Sequence, residues 1–401
     1  SVEDNLLLGQ SGTGYGTLIR KRQRQSVRDV LQTVGLHSLN PTSLVGEQSV
    51  ATQQLIEVSR ALISNAKIIL FDEPTSSLPQ QDVAQLFEII SRLKQRGIGI
   101  VYISHFLEEV RNVADRYRVL RDGQSVGDGD ISEVSDPEII SMMVGRDVRD
   151  LYPTIPHSPG ETRLKVLGLK DSLAKNATDL SIRAGEIFGI AGLVGSGRTE
   201  LVRRIFGLDY NGGGLIELDG QTIKGSVKSR MRAGVGMLSE DRKREGLAQD
   251  LSIIENTTLG SLERYKRYGL LNLMKREKAA VDLMKSVEVK AYSGHQKVSE
   301  LSGGNQQKVA IARILHQNAK LLIMDEPTKG IDVGTKSEIY RMMGELAAEG
   351  KTVLFISSYL PELLAVCDRI GVMSRGGLKE VRDSVDWSED SIMAVATSSE
   401  R

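Results

Sequence analysis

Two acid pairs and one glycine-rich run carry the chemistry this chain can do. Asp72-Glu73-Pro74-Thr75 and Asp325-Glu326-Pro327-Thr328 each end an apolar stretch. An aspartate at such a strand end can hold magnesium, directly or through water. The glutamate beside it can orient and deprotonate a water that attacks a terminal phosphate. The bland alternative is a pair of turn acids before a proline. The run Gly192-Leu193-Val194-Gly195-Ser196-Gly197-Arg198-Thr199 follows a strand-like stretch and opens a helical one. Its frame is Gly-x-x-x-x-Gly-Lys-Ser/Thr with Arg198 in the lysine's place. The glycines let backbone N–H groups turn onto phosphate oxygens at a helix N-terminus, and Thr199 would offer its hydroxyl to a magnesium ion. Arginine keeps the charge, but as a planar fork it need not reach the oxygens a compact ammonium reaches. His105 follows a third strand-like stretch, where it could contact a terminal phosphate or the attacking water.

These residues recur at a fixed measure. Ser302-Gly303-Gly304-Asn305-Gln306-Gln307 starts 23 residues before Asp325 (325 − 302 = 23), and Ser49-Val50-Ala51-Thr52-Gln53-Gln54 starts 23 before Asp72 (72 − 49 = 23). The two sets stand 253 apart (325 − 72 = 253), and at that offset Ile103-Ser104-His105 falls on Ile356-Ser357-Ser358. Arg121-Asp122-Gly123 falls on Ser374-Arg375-Gly376 and Ser135-Asp136 on Ser388-Glu389 at the same offset. Ser1–Asn5 falls on Ser252–Asn256 at an offset of 251. A period this long implies domain duplication and not a solenoid array. Two acid pairs in one frame argue against turn acids. The second copy runs from near Glu161 to Arg401, and residues 161–251 have no counterpart ahead of Asp72. With a first residue that is not methionine, the expectation is a chain truncated at its N-terminus, the first copy's phosphate loop being missing.

The elements that must position these groups alternate. Lys67–Phe71 and Gly97–Ile103 read as strands, with a helical pattern at Gln80–Gln95 between them. Ile187–Ala191 reads as a strand and Thr199–Phe206 as the start of a helix. Strands alternating with helices imply a parallel sheet covered by helices, with ligands at the carboxyl ends of its strands. The expected division is a first domain over 1–149, a proline-bearing linker over 150–162 and a second domain over 163–401. Asp241–Glu300, rich in charged helical patterns, reads as an inserted helical subdomain.

Composition narrows the field. The 401 residues are 40% hydrophobic and 26% charged with zero net charge, as in an ordinary globular chain with no call for a polyanionic partner. A single cysteine, Cys367 in an apolar stretch, excludes an intrachain disulfide and reads as a buried structural thiol. No apolar run of 18 residues offers a membrane span. The glycine run 9–16 has no Lys or Arg after it and reads as a surface loop. For the charge runs Asp241–Gly246 and Arg20–Arg24 the bland reading is a solvated face, which holds for the second, and nucleic-acid binding would need a wider basic surface. Met342 and Met343 read as core and flank.

With these residues assembled, the chain resembles the ATP-binding proteins of ABC transporters. Leu301–Lys308 is similar to the family's signature motif and Leu322–Pro327 to its Walker B strand. The phosphate loop, the signature, the acid pair and Asp332 come in the family's order. Two fused ATPase halves, an arginine-bearing loop and Ser239–Arg244 resemble the branch importing ribose, galactose, xylose and related monosaccharides. The fold implied is an α/β P-loop ATPase in two tandem copies, each with a helical subdomain. The implied cofactors are ATP and Mg2+. The implied partners are membrane permease subunits and, through them, an external sugar-binding protein. The implied location is peripheral, on the cytoplasmic face of the cell membrane. Since the family's halves pair head to tail, the resemblance implies two unlike sites. One joins Asp72 (on magnesium), Glu73 (base) and His105 (switch) to Ser302, Gly303, Gly304, Asn305 and Gln306. The other joins Gly192, Gly195, Ser196, Gly197, Arg198, Thr199, Asp325, Glu326 and Glu240, which stands at the phosphate-sensing glutamine's position, to a signature in which Val50 and Ala51 replace two glycines. Asp325 and Thr199 would be its metal ligands. Ser358 replaces its histidine, no aromatic residue lies between Gly160 and Ile187 to stack on adenine, and Pro79 stands where Asp332 stands in the other half. The second site would therefore bind nucleotide with turnover in doubt. The alternatives are a non-catalytic nucleotide-binding module and a soluble ABC ATPase.

Overall fold

Apolar runs that end on an acid become parallel strands. A computed structural model describes residues 1–9, 17–75, 78, 80–104, 106–121, 123–145, 151–169, 177–209 and 213–398. His105, Pro79, Asp122 and most of the glycine run 9–16 lie outside the described residues. The chain divides into two units, Ser1–Met143 and Val144–Arg401. The first holds α1 (Val2–Leu7), α2 (Thr17–Thr33), α3 (Val50–Ile63), β1 (Ile68–Asp72), α4 (Gln80–Gln95), β2 (Gly99–Ile103), α5 (Leu107–Val113), the hairpin β3 (Arg116–Arg121) with β4 (Gln124–Asp130), and α6 (Asp136–Val144). β1 and β2 pair in parallel, with Asp72 opposite Ile103. Ile69 and Phe71 bury one face of this pair against Leu55 and Val58 of α3 and Leu86, Ile89 and Ile90 of α4. On the other face Ile68, Leu70, Val101 and Ile103 are 62%, 67%, 47% and 46% exposed.

The second unit begins with β5 (Thr162–Leu169), β6 (Thr178–Arg183), β7 (Ile187–Gly192), α7 (Arg198–Phe206), β8 (Leu215–Leu218), β9 (Gln221–Thr222), α8 (Val227–Ala233) and β10 (Val235–Leu238). A π-helical turn at Arg242–Gly246, α9 (Ile253–Thr258), the two-residue strands β11 (Lys266–Arg267) and β12 (Leu270–Leu271), and α10 (Leu273–Ser286) fill the stretch expected as a helical subdomain. Then follow α11 (Gly303–His316), β13 (Leu321–Asp325), α12 (Val333–Ala348), β14 (Thr352–Ile356), α13 (Leu360–Val366), β15 (Arg369–Ser374), β16 (Gly377–Asp383) and α14 (Glu389–Thr397). The main sheet has the order β10-β13-β14-β7-β15-β16. Its first five strands are parallel and β16 returns antiparallel to β15.

Every residue of β13 and β14 is buried. One face packs on α11, α12, α13 and α14, and the other on α7 and the antiparallel sheet β6-β5-β8-β9. Each aliphatic side chain buried this way stabilises the unit by about 1.5–3 kcal/mol. Glycine 189 of β7 lies against the thiol of Cys367, where an added Cβ would meet Sγ at 2.7 Å. Cys367 is buried, and burial raises its thiol pKa. Residues 151–160, in the segment expected as a linker, carry no helix or strand but hold to the second unit. Tyr152 stacks on Tyr340 at 5.3 Å, and His157 Nε2 lies 3.0 Å from Asp368 Oδ2.

Local devices recur between the units at the offsets of the sequence. Ser1 caps α1 in a capping box with Asp4, and Ser252 caps α9 in one with Glu255. Ser49 caps α3 by accepting from Thr52 N, and Ser302 caps α11 by accepting from Asn305 N. Glu73 and Glu326 both sit at positive φ (43° and 48°), each donating its N–H over 2.9 Å to the carbonyl of Ile103 or Ile356. A left-handed conformation in a residue with a Cβ is strained by about 1–3 kcal/mol and is commonest at functional sites. Both hairpins, β3–β4 and β15–β16, carry a register shift at the same point, Val119/Leu120 and Val372/Met373.

Candidate functional site

In the second unit the sheet order sets three strand ends side by side. β13 ends on Asp325-Glu326, β14 runs out into Ser357-Ser358, and β7 runs into the glycine loop. The loop turns back on itself because Gly195 and Gly197 adopt φ of 78° and 96°. Space as well as torsion demands glycine there. A Cβ on Gly192 would meet Met373 O and Ser196 Oγ at 2.6 Å, and one on Gly197 would meet Gly376 Cα at 2.9 Å. Helix α7 starts at Arg198, so its free N–H groups face the loop.

Asp325 is fully buried, and neither carboxylate oxygen has a hydrogen-bond partner. Burial pushes its pKa up to about 6, the Thr199 hydroxyl beside it opposing and Glu240 adding to the rise. The Thr199 hydroxyl is near enough to act on the charge without closing to hydrogen-bond distance. The Ser196 hydroxyl is also buried and unpartnered. An orphaned buried carboxylate costs several kcal/mol unless something pairs with it. The Asp325 carboxylate with the Thr199 hydroxyl beside it offers the hard oxygen donors that suit magnesium.

Arg198 does not extend along the loop. Its Nη1 donates to Ser357 O over 2.6 Å, and its Nη2 lies 3.7 Å from Glu326 Oε1. Both side chains are about nine-tenths buried. Burial pushes Glu326 up to about 7, with Arg198 and Ser358 pulling it down and Glu362 and Asp325 pushing further up. Glu240 is taken up by Lys329, Nζ to Oε1 at 2.7 Å.

The Ser302 run opens α11. Ser302 is exposed at the N-cap, and its Oγ accepts from the Asn305 side chain at 3.0 Å. Asn305 Oδ1 accepts from Lys290 N at 2.7 Å, and Gln306 Nε2 donates to the Val298 and Leu301 carbonyls. Gly304 packs on Thr335, where a Cβ would come within 2.8 Å of the side chain. Thr335 donates from N and Oγ1 to Asp332, the N-cap of α12. Sequence reasoning missed Arg242. It sits in a charge run first read as a solvated face, yet its guanidinium donates to Gly303 O over 2.6 Å and to Lys329 O and Gly330 O over 3.3 and 3.4 Å. It ties the start of the signature run to the loop after the acid pair.

In the first unit Asp72 ends β1 and Glu73 follows, both exposed. His105 falls outside the described residues. No counterpart of the 192–199 loop is described in this unit.

The comparisons with known proteins meet the same residues. A family model described as ABC transporter matches residues 175–329, from ahead of β6 to just past the acid pair. A ribose import ATP-binding protein of Chromobacterium violaceum is 39% identical over 398 residues, 99% of this chain and 79% of its own length. This chain belongs to the ABC transporter ATP-binding proteins. A ribose import ATP-binding protein of Rubrobacter xylanophilus is 42% identical over 99% of this chain and 80% of its own. Among solved structures, an ATP-binding cassette of an ABC transporter in its ADP conformation matches with a TM-score of 0.50 at 23% identity, over 59% of this chain and 96% of that one. That likeness is one of fold, the α/β P-loop fold of the ABC ATPases. No helix among the described residues is long and apolar enough to cross a membrane.

Proposed function

We propose that this chain is the ATP-binding and ATP-hydrolysing subunit that energises import of a monosaccharide through an ABC transporter. On this reading it works peripherally at the cytoplasmic face of the membrane, against permease subunits fed by an external sugar-binding protein. One observation carries it: the unpartnered, fully buried Asp325, beside Thr199 at the mouth of a glycine loop with no room for a Cβ at Gly192 or Gly197. Such a carboxylate makes sense as a magnesium ligand next to a bound polyphosphate. Magnesium there would neutralise phosphate charge. The loop and α7 amides would hold the phosphates, Arg198 would keep a positive charge beside them, and Glu326 would lie with it at the end of β13. The near-40% identity to sugar-import relatives over almost the whole chain supports the transport role.

The recurrence of capping boxes, of the positive-φ glutamates and of the shifted hairpins supports a tandem origin for the two units, with domains at 1–149 and 163–401. On that reading Asp72, Glu73 and His105 do the hydrolysis. The Arg198–Glu326 pair favours a second reading for the other site. A base held by the loop's own arginine, with Ser358 in place of histidine, suits a site that binds nucleotide without turning it over.

The test is ATP hydrolysis and ATP binding in the transporter assembled with its permease. Glu73→Gln should abolish turnover and spare binding, whereas Glu326→Gln should leave turnover within a few-fold. Normal turnover in Glu73→Gln would sink the assignment, and equal losses in both variants would place hydrolysis at both sites.

A further inference from the structure

One buried and one half-buried carboxylate have no place in the chemistry above. Glu362, on α13 and 1% exposed, accepts hydroxyl hydrogen bonds from Ser357, from Tyr340, and from Thr328 at 3.0 and 2.9 Å to its two oxygens. Glu109, on α5, accepts from Ser104 at 2.8 Å, Thr75 at 2.6 Å and Tyr102 at 2.9 Å. The glutamates, serines and threonines keep the offset (362 − 109 = 357 − 104 = 328 − 75 = 253). The tyrosines do not. The counterpart of Tyr102 is Phe355 (102 + 253) and that of Tyr340 is Phe87 (340 − 253). Phe87 and Tyr102 are ring neighbours, edge to face at 6.4 Å.

The third hydroxyl therefore comes from the strand β2 in one unit and from the helix α12 in the other. Packing alone would accept phenylalanine at all four positions. Three donors on the carboxylate are kept while the residue that supplies the third changes. A carboxylate drawn out of water needs partners for its oxygens, and a donor lost from one leaves an acceptor unsatisfied.

Each carboxylate gathers two loops that carry chemistry. Thr75 and Thr328 close the Asp-Glu-Pro-Thr runs. The Ser357 hydroxyl also accepts from Tyr359 N at 2.9 Å, and the Ser104 hydroxyl from Phe106 N at 3.0 Å. Each serine thus ties the backbone N–H two residues on, of Tyr359 or Phe106, back to its strand end. We infer that Glu362 and Glu109 are positioning residues, which lock the threonine of the acid-bearing loop and the serine at the neighbouring strand end into one fixed relation. The inference rests on reading Asp325 and the glycine loop as a magnesium–nucleotide site.

The test measures ATP affinity of the full chain in Mg2+ and in EDTA, and takes the ratio as readout. Tyr340→Phe should cut the Mg2+ enhancement about fivefold, the weight of one ordinary hydrogen bond. The double change Tyr340→Phe with Phe355→Tyr copies the first unit's arrangement and should restore it. Thr328→Val should repeat the loss, and Phe355→Tyr should not rescue it. If thermal melts show Tyr340→Phe unfolded, Glu362→Gln, close to isosteric, carries the same comparison. An unchanged ratio in Tyr340→Phe, Thr328→Val and Glu362→Gln overturns the inference. So does a loss in Tyr340→Phe that the double variant fails to restore, since the ring would then matter only for packing. Absence of any Mg2+-dependent ATP binding in the unaltered chain would instead refute the site reading itself, and the inference with it.

Discussion

Asp325 holds a charge the fold alone does not satisfy, and its titration should report that. Burial raises Asp325 to about 6 and Glu326 to about 7, above their values in an unfolded chain. Between the unfolded and folded pKa values the native state holds more protons, so stability without ligand falls as pH rises from about 4 to 7. Asp325→Asn should therefore raise the thermal midpoint of the nucleotide-free chain at pH 8, by the equivalent of roughly 2 kcal/mol, with little effect at pH 4. It should also remove the extra stabilisation that Mg2+ adds to ATP, measured by calorimetric melts at both pH values. A lower midpoint at pH 8 would mean the carboxylate has a protein partner after all. The position of Asp325 was readable from its spacing to Ser302 and from the apolar run before it. The fold-back of Arg198 onto Glu326 was not, because sequence records a charge and not the direction it points. Arg242 was hidden for the converse reason: a cation among Asp241, Lys243, Arg244 and Glu245 looks solvated until the carbonyls of Gly303 and Gly330 are found around it.

At the scale of elements, caps and strand ends were legible and the antiparallel layer was not. Ser252 followed three residues later by Glu255 is a helix-start signature, and the structure closes it on both sides, with Ser252 N and Oγ on Glu255 and Glu255 N on Ser252 Oγ. Ser252→Ala should cost about 1 kcal/mol, seen as a lower urea midpoint with an unchanged slope. A cost near zero would show that packing of Ile253 and Ile254 alone sets the start of α9. The run Lys67–Phe71 reads as a buried strand and forms one from Ile68 to Asp72, but only Ile69 and Phe71 are buried, while Ile68 and Leu70 face solvent. β5, β6, β8 and β9 went unread. β5 pairs with β8 across 48 to 54 residues (215 − 167 and 218 − 164), and the alternation in Thr162–Leu169 says only that one face is buried, not against what. The linker expectation rested on prolines and aperiodicity, and such a segment can still dock, as Tyr152 does on Tyr340.

For the whole chain, the two units differ most in how their sheets are covered. β13 and β14 are buried throughout, whereas β1 and β2 show every other side chain to solvent. Local opening is easier where fewer apolar contacts must break. Amides of Ile69–Phe71 should therefore exchange with deuterium at least tenfold faster than those of Leu322–Met324, and comparable protection would show that β1–β2 gains cover in solution. The lone thiol offers a clock for the slower of these events. Cys367 lies shut against Gly189, on the strand that leads into the glycine loop. A thiol reagent can reach it only when that strand parts from α13. The labelling half-time then counts openings beneath the loop one at a time, and ATP with Mg2+ should lengthen it in proportion to its occupancy.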